Sequence, residues 1–166
     1  MVVQGLMSEF LHETENTRKL LQAIPDSALD YKPAENSWTT AQLAAHIVGL
    51  YNWFPSVLEL DVFDIATYQY DKGDISNMRS ILAKFEENVK IAQGALERLT
   101  KEALFNDWTM KNGDVVIIPP MKRIGIMRSV LLSHIYHHRG EMIVYLRATG
   151  NKVPGLYGPT YEEMNP

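Results

Sequence analysis

The chain of 166 residues contains no cysteine. Disulfides, thiolate metal ligands and a cysteine nucleophile are therefore excluded, and any thiol chemistry needs a thiol from a small molecule. The absence fits a reducing cytosol. Basic residues are also in short supply: 16 Lys and Arg against 20 Asp and Glu leave a net charge of −4. That balance lacks the basic face that grips a phosphate backbone, so no nucleic-acid partner is expected. No apolar run approaches the length of a membrane span. The stretch MVVQGLMSEFLHETEN has no basic n-region and its apolar residues are spaced, so it does not read as a signal peptide. The expectation is a cytoplasmic protein forming a single domain over residues 1–166, long enough to bury a core without covalent staples.

What the chain does have is helical periodicity. Val3, Met7, Phe10, Thr14, Thr17, Leu21 and Ile24 alternate steps of four and three until Pro25 and Asp26 stop the pattern. Ser37 is a plausible N-cap for a second stripe, Thr39, Leu43, His46, Leu50, Trp53 and Val57. A third runs from Ile75 through Met78, Leu82, Phe85, Val89, Ala92 and Leu96 to Leu99. The fourth reads Ile124, Met127, Leu131, His134, His138, Glu141 and Tyr145, with Gly150 as its C′ residue and Pro154 as a stop. Four such stripes predict an all-α four-helix bundle. The long connection from about Leu60 to Asp74 lets the second and third helices run parallel, giving an up-down-down-up order. Asn112-Gly113, between FNDWTMK and VVII, predicts a small β-hairpin between helices 3 and 4, ended by Pro119 and Pro120.

Two of these stripes place imidazoles where a core needs leucines. Successive helical residues advance about 100°, so His138 falls in the middle of the apolar face of the last helix and His134 on its edge. Glu141 lies beside His134, whereas His137 points well off the face. His46 lies at the edge of the second stripe. His12, opposite Phe10, should face water. A buried imidazole costs free energy unless it is hydrogen-bonded or liganded. Two histidines at i and i+4 and a third from a facing helix can be satisfied together by one ion, with positions left open for water or substrate. Without cysteine, neutral nitrogen ligands suit zinc, nickel, iron or copper. Isolated core histidines bonded to carbonyls or hydroxyls are the alternative. Glu141 could be a fourth ligand, a partner for the other N–H of His138, or a salt-bridge residue; the partner role ranks first, because metal-bound histidines usually have one. Gly49, one turn after His46, could leave room for a ligand or allow close helix packing. Thr14 and Thr17 could line a pocket or bond back to their own helix.

The segment WTTAQLAAHI (Trp38 to Ile47) resembles the pattern W-[ST]-x-x-x-x-x-x-H-[IV], and HIYHHRGEMIVYLRATGNKVP (His134 to Pro154) resembles H-x-x-x-H-R-G-[QE]-[ILM]…L-R-x-x-G…P. With the tail LYGPT, these are similar to the DinB-like/YfiT-like metalloenzyme superfamily over nearly the whole chain. The resemblance implies a four-helix bundle, commonly a homodimer, with a divalent transition metal (zinc, nickel, iron or manganese) on His46, His134 and His138. Related members resemble metal-dependent hydrolases or transferases of a low-molecular-weight thiol, and others are named only for a DNA-damage or stress response. The usual glutamine after R-G is Glu141 here. The sequence therefore predicts an enzyme acting on a small-molecule substrate, hydrolase or thiol transferase, with Glu141 as a candidate base and Tyr145 as a candidate proton donor. A non-catalytic metal- or ligand-binding module is the alternative, and a purely structural ion a third. Tyr51 and Leu58, apolar and outside the core stripe, are candidate dimer contacts.

Overall fold

The four apolar stripes form four long helical segments in the computed structural model, which describes residues 1–165. The first is α1 (Val2–Gln22), whose inward face carries Leu6, Phe10, Thr14, Thr17, Leu20 and Leu21. The second begins at α2 (Thr40–Tyr51). Its N-cap is Thr39 rather than Ser37. The Thr39 hydroxyl accepts from the Gln42 backbone N–H, and the Gln42 side chain accepts from the Thr39 N–H, a reciprocal capping box. The expected unbroken helix to Val57 is interrupted at Asn52 and Trp53, and α3 (Phe54–Glu59) continues with Pro55 in its first turn. A proline there has no N–H for the Tyr51 carbonyl and would clash with it, which explains the break.

The third stripe is α4 (Met78–Glu97), N-capped by Asn77; its first free N–H, on Met78, is also taken by the Asp26 carboxylate at 2.7 Å. The fourth is continuous but irregular: α5 (Arg123–Ile126), a π-helical segment over Met127–Leu132, and α6 (Ser133–Ala148). The Ser133 backbone N–H donates to the Arg128 carbonyl five residues back, as the widened turn requires, and its hydroxyl donates to the same carbonyl at 2.7 Å. After α6, Gly150 takes a φ of 74° and the Asn151 N–H closes onto the Leu146 carbonyl, the C′ role expected of that glycine. A short α7 (Tyr161–Met164) ends the described chain.

Contacts between the helices fix their directions. Arg18 of α1 meets Glu86 of α4, and Asp26 meets Met78, so α1 and α4 are antiparallel. Asn88 bonds the Val48 carbonyl and Arg98 bonds Glu59, so α2–α3 and α4 run parallel. His46 faces His134 while Trp38 meets Tyr145, so α6 is antiparallel to α2. The order is up-down-down-up. The core between these faces is closed by rings such as Phe10, Tyr51, Phe54 and Phe85, all within 1% exposure. Tyr51 and Leu58 belong to this core, at 1% and 4% exposure, and so are not surface contacts for a partner.

The expected hairpin is part of a three-stranded sheet. β2 (Asp107–Asn112) pairs antiparallel with β3 (Val115–Lys122), and β1 (Val62–Asp64), inside the long α3–α4 connection, pairs parallel with β2. The turn is Gly113-Asp114 rather than Asn112-Gly113, with Gly113 at a φ of 60°. Its N–H donates to the Asp64 carboxylate, tying β1 to the hairpin. Pro119 and Pro120 do not end β3. They lie within it, on the sheet edge, where the register shifts and no ladder N–H is needed.

Candidate metal centre

His46 comes from the middle of α2, and His134 and His138 from successive turns of α6, the helix beside it in the bundle. Because i and i+4 share a helix face, the two α6 rings stack along one wall, with centroids 4.7 Å apart. The His46 ring meets them at 5.1 Å and 4.5 Å, and its Nε2 lies 3.2 Å from Nε2 of His134. One ligand atom from each of the three histidines can be chosen such that all lie within 4.8 Å of one another, a set able to hold a metal ion. His138 is buried, and His46 and His134 are half-buried.

Glu141 lies one turn beyond His138 and takes the partner position: its Oε2 is 2.6 Å from His138 Nδ1. With Nδ1–H donating to the carboxylate, the lone pair of His138 lies on Nε2. Oε1 of Glu141 is 3.4 Å from Nε2 of the exposed His137, so one carboxylate anchors both neighbours. His12 is exposed and receives an amide contact from Asn16 on its own helix. Burial lowers the pKa of His46 to about 4, aided by the charges that His138 and His134 carry when protonated. Burial also lowers His134, and the neighbouring His138 and His137 add to the effect. These two nitrogens are thus neutral at neutral pH.

The other candidates resolve locally. Tyr145 reaches the same side of α6 but donates its hydroxyl to the Trp38 carbonyl at 3.2 Å. Burial, then the nearby Glu141 charge, raises its pKa, so it keeps its proton. The space left by Gly49 is filled by a ring of this chain: a Cβ there would stand 3.1 Å from Cε1 of Tyr70. Thr17 bonds back to the Glu13 carbonyl and accepts from Tyr51, whereas the buried Thr14 hydroxyl has no partner.

Sequence reasoning missed Trp38 and the tyrosines of the connection. The Trp38 indole lies 4.7 Å from the His46 ring and 5.9 Å from the His138 ring, and Trp53 lies 6.4 Å from His134. Trp38 separates two clefts. One, of about 380 Å³, runs from His46 between Trp53, Tyr68 and Tyr70. The other, about 310 Å³, holds His138, Glu141 and Tyr145. The loop position of Trp38 hid its role, since no helical period reports on a residue two before the first helical turn.

A three-histidine face between two helices of an up-down-down-up bundle, open to a cleft, defines a class of candidate metalloprotein. The chain belongs to the DinB family, whose model matches residues 1–166. It is similar to YrdA, an uncharacterized protein of Bacillus subtilis (strain 168), with 30% identity over 152 residues that span 91% of this chain and 85% of YrdA. Its fold matches the crystal structure of a DinB-like protein from Bacillus cereus with a TM-score of 0.73 at 24% identity, covering 93% of this chain and 97% of that one. It also matches Bacillus subtilis YfiT, described as a probable metal-dependent hydrolase with an unusual four-helix bundle topology, with a TM-score of 0.63 at 17% identity over 89% of this chain and 87% of YfiT.

Proposed function

We propose that the protein is a metal-dependent enzyme, a hydrolase or a low-molecular-weight-thiol transferase, whose divalent transition metal is held by His46, His134 and His138. The observation that carries this reading is the convergence of three imidazoles, two of them held neutral by burial, with His46 lining one open cleft and His138 another. The donor set fits such an ion: three nitrogens and no thiolate, with a carboxylate on the far side of one ring. The description of YfiT supports it. A divalent metal bound there would acidify a coordinated water or thiol and polarise an electrophile.

The chain's own residues would do the rest. Glu141 accepts the Nδ1 proton of His138 and fixes which nitrogen faces the site; it is a positioning residue. Trp38 covers the rings of His46 and His138 and limits access of bulk water. Tyr145, still protonated at neutral pH, lines the second cleft and would act as a proton donor once its hydroxyl leaves the Trp38 carbonyl.

The test is elemental analysis of the purified protein and of four alanine variants, followed by hydrolase screens and thiol-consumption assays with several cosubstrates. His46→Ala and His138→Ala should lose the metal, and His12→Ala and His137→Ala should keep it. Equal loss in all four would refute the ligand assignment. Bound metal with no turnover in any assay would favour a non-catalytic binding or stress-response role. In line with the family resemblance, we also propose a homodimer. Its contacts would come from exposed apolar side chains such as Val115, Val116 and Ile117 on β3, and sedimentation showing only monomer at micromolar concentration would count against it.

A further inference from the structure

The cleft that starts at His46 has a chemical character of its own. Its lining is largely aromatic: Trp38 and Trp53, with Tyr68 and Tyr70 from the α3–α4 connection. The two tyrosine rings are nearly parallel, 4° apart, and both are anchored. The Asn52 amide donates to the Tyr68 hydroxyl at 2.7 Å, and the Asn88 amide donates to that of Tyr70 at 3.0 Å. Asn88 itself is buried and also bonds the Val48 carbonyl. Such rings are fixed surfaces rather than mobile flaps. No acidic residue lines the cleft, and its one permanently charged lining residue is Lys72. Lys72 is exposed and makes no ion pair among the described residues, whereas its neighbour Lys84 is paired with Glu87.

We propose that this cleft is the substrate pocket and that it selects a small molecule with a flat aromatic or similarly apolar body and one anionic group. The body packs on the indole and phenol rings, and the anion meets the ammonium of the exposed Lys72. A volume of about 380 Å³ holds a body of one or two fused rings. Stacking on anchored aromatic walls supplies affinity at low entropic cost, and Lys72 supplies the sign preference as the one permanently charged side chain on the cleft wall; Asp71 and Asp74 flank it in sequence but do not line the cleft. The assignment rests on the metal-enzyme reading only for what happens at the His46 end. The pocket's selectivity resides in residues that hold no metal.

The experiment therefore uses metal-free protein first, where a carboxylate has no ion to coordinate. The probes are 2-naphthoate, neutral 2-naphthamide and cationic 2-naphthylmethylammonium, titrated by calorimetry into the full chain at low salt. The expected order is naphthoate, then amide, then ammonium, with naphthoate about fivefold tighter than amide, the scale of a partly screened ion pair. Lys72→Met should bring naphthoate down to the amide's affinity and leave the amide unchanged. Lys72→Glu should reverse the order of the two charged probes. Lys72 is exposed, so neither variant threatens the fold, and thermal melts verify this. Equal affinity for naphthoate and amide in the unaltered chain, no saturable binding of any probe, or a preference that survives Lys72→Met would each overturn the proposal. Metal content is measured separately. Naphthoate binding without metal uptake would sink the metal reading and leave the pocket standing, and metal uptake without naphthoate binding would do the reverse.

Discussion

His46 shows how a single side chain couples folding to the site. Its pKa in the folded protein, about 4, lies below the ordinary histidine value of 6.5, mainly because burial opposes the charged form. The unfolded chain therefore takes up a proton first as the pH falls. Between pH 6.5 and about 4 the unfolded state binds more protons, so the metal-free protein loses stability as acid is added and regains it toward neutrality. Urea unfolding at pH 7 and pH 5 should show this loss, with a shallower slope in His46→Gln; an identical slope in the variant would contradict the assignment. A metal ion competes for the same nitrogen, so its affinity should also weaken on acidification. The inward direction of His46, His134 and His138 was legible from the helical period alone. The clasp between His138 and Glu141 was legible as one of three roles. Trp38 opens the W…H pattern with His46, but its contact with the imidazoles was not legible, because that depends on a loop path the helical period does not encode.

Among elements, α1 and α6 are joined by a pair that the sequence pattern did not reveal. Arg139, next in sequence to His138, is 1% exposed and donates to both the carbonyl and the carboxylate of Glu13, itself 6% exposed. Tyr157, from the tail after α6, donates to the same carboxylate at 2.6 Å, and the guanidinium lies between the rings of Tyr136 and Tyr157. A buried ion pair does little net work when intact, but removing one partner strands the other charge at a cost of about 3–5 kcal/mol. Arg139→Met or Glu13→Gln should lower stability on that scale by urea unfolding. The double variant Glu13→Leu/Arg139→Met should recover much of the loss; additive losses would show that each residue acts through other contacts. Charged residues at helix positions read as solvent-facing in a sequence, so this pair was invisible there. The π-helical segment over Met127–Leu132 was equally hidden, because its stripe of Ile124, Met127 and Leu131 fits an ordinary α-helix as well. The break before α3 could have been anticipated from Pro55, and β1 could not, being three residues long within a polar connection.

At the scale of the whole molecule, the bundle does not depend on an ion for its core. The apolar faces of α1, α2, α4 and α6 bury many large side chains, each worth about 1.5–3 kcal/mol of transfer free energy when fully covered. On the metal-enzyme reading, chelation should abolish activity, and the large core should keep the far-ultraviolet circular dichroism helical and unfolding cooperative. Helix lost in step with metal would instead identify a structural ion. The architecture also divides labour between regular and irregular chain. All three histidines stand on α2 and α6, whereas Tyr68, Tyr70 and Lys72 belong to the single connection between α3 and α4. On the readings proposed above, two duplicated genes that drift apart only between residues 61 and 77 would inherit the same reaction and diverge in diet, each lineage recruiting new compounds to an unaltered reactive centre.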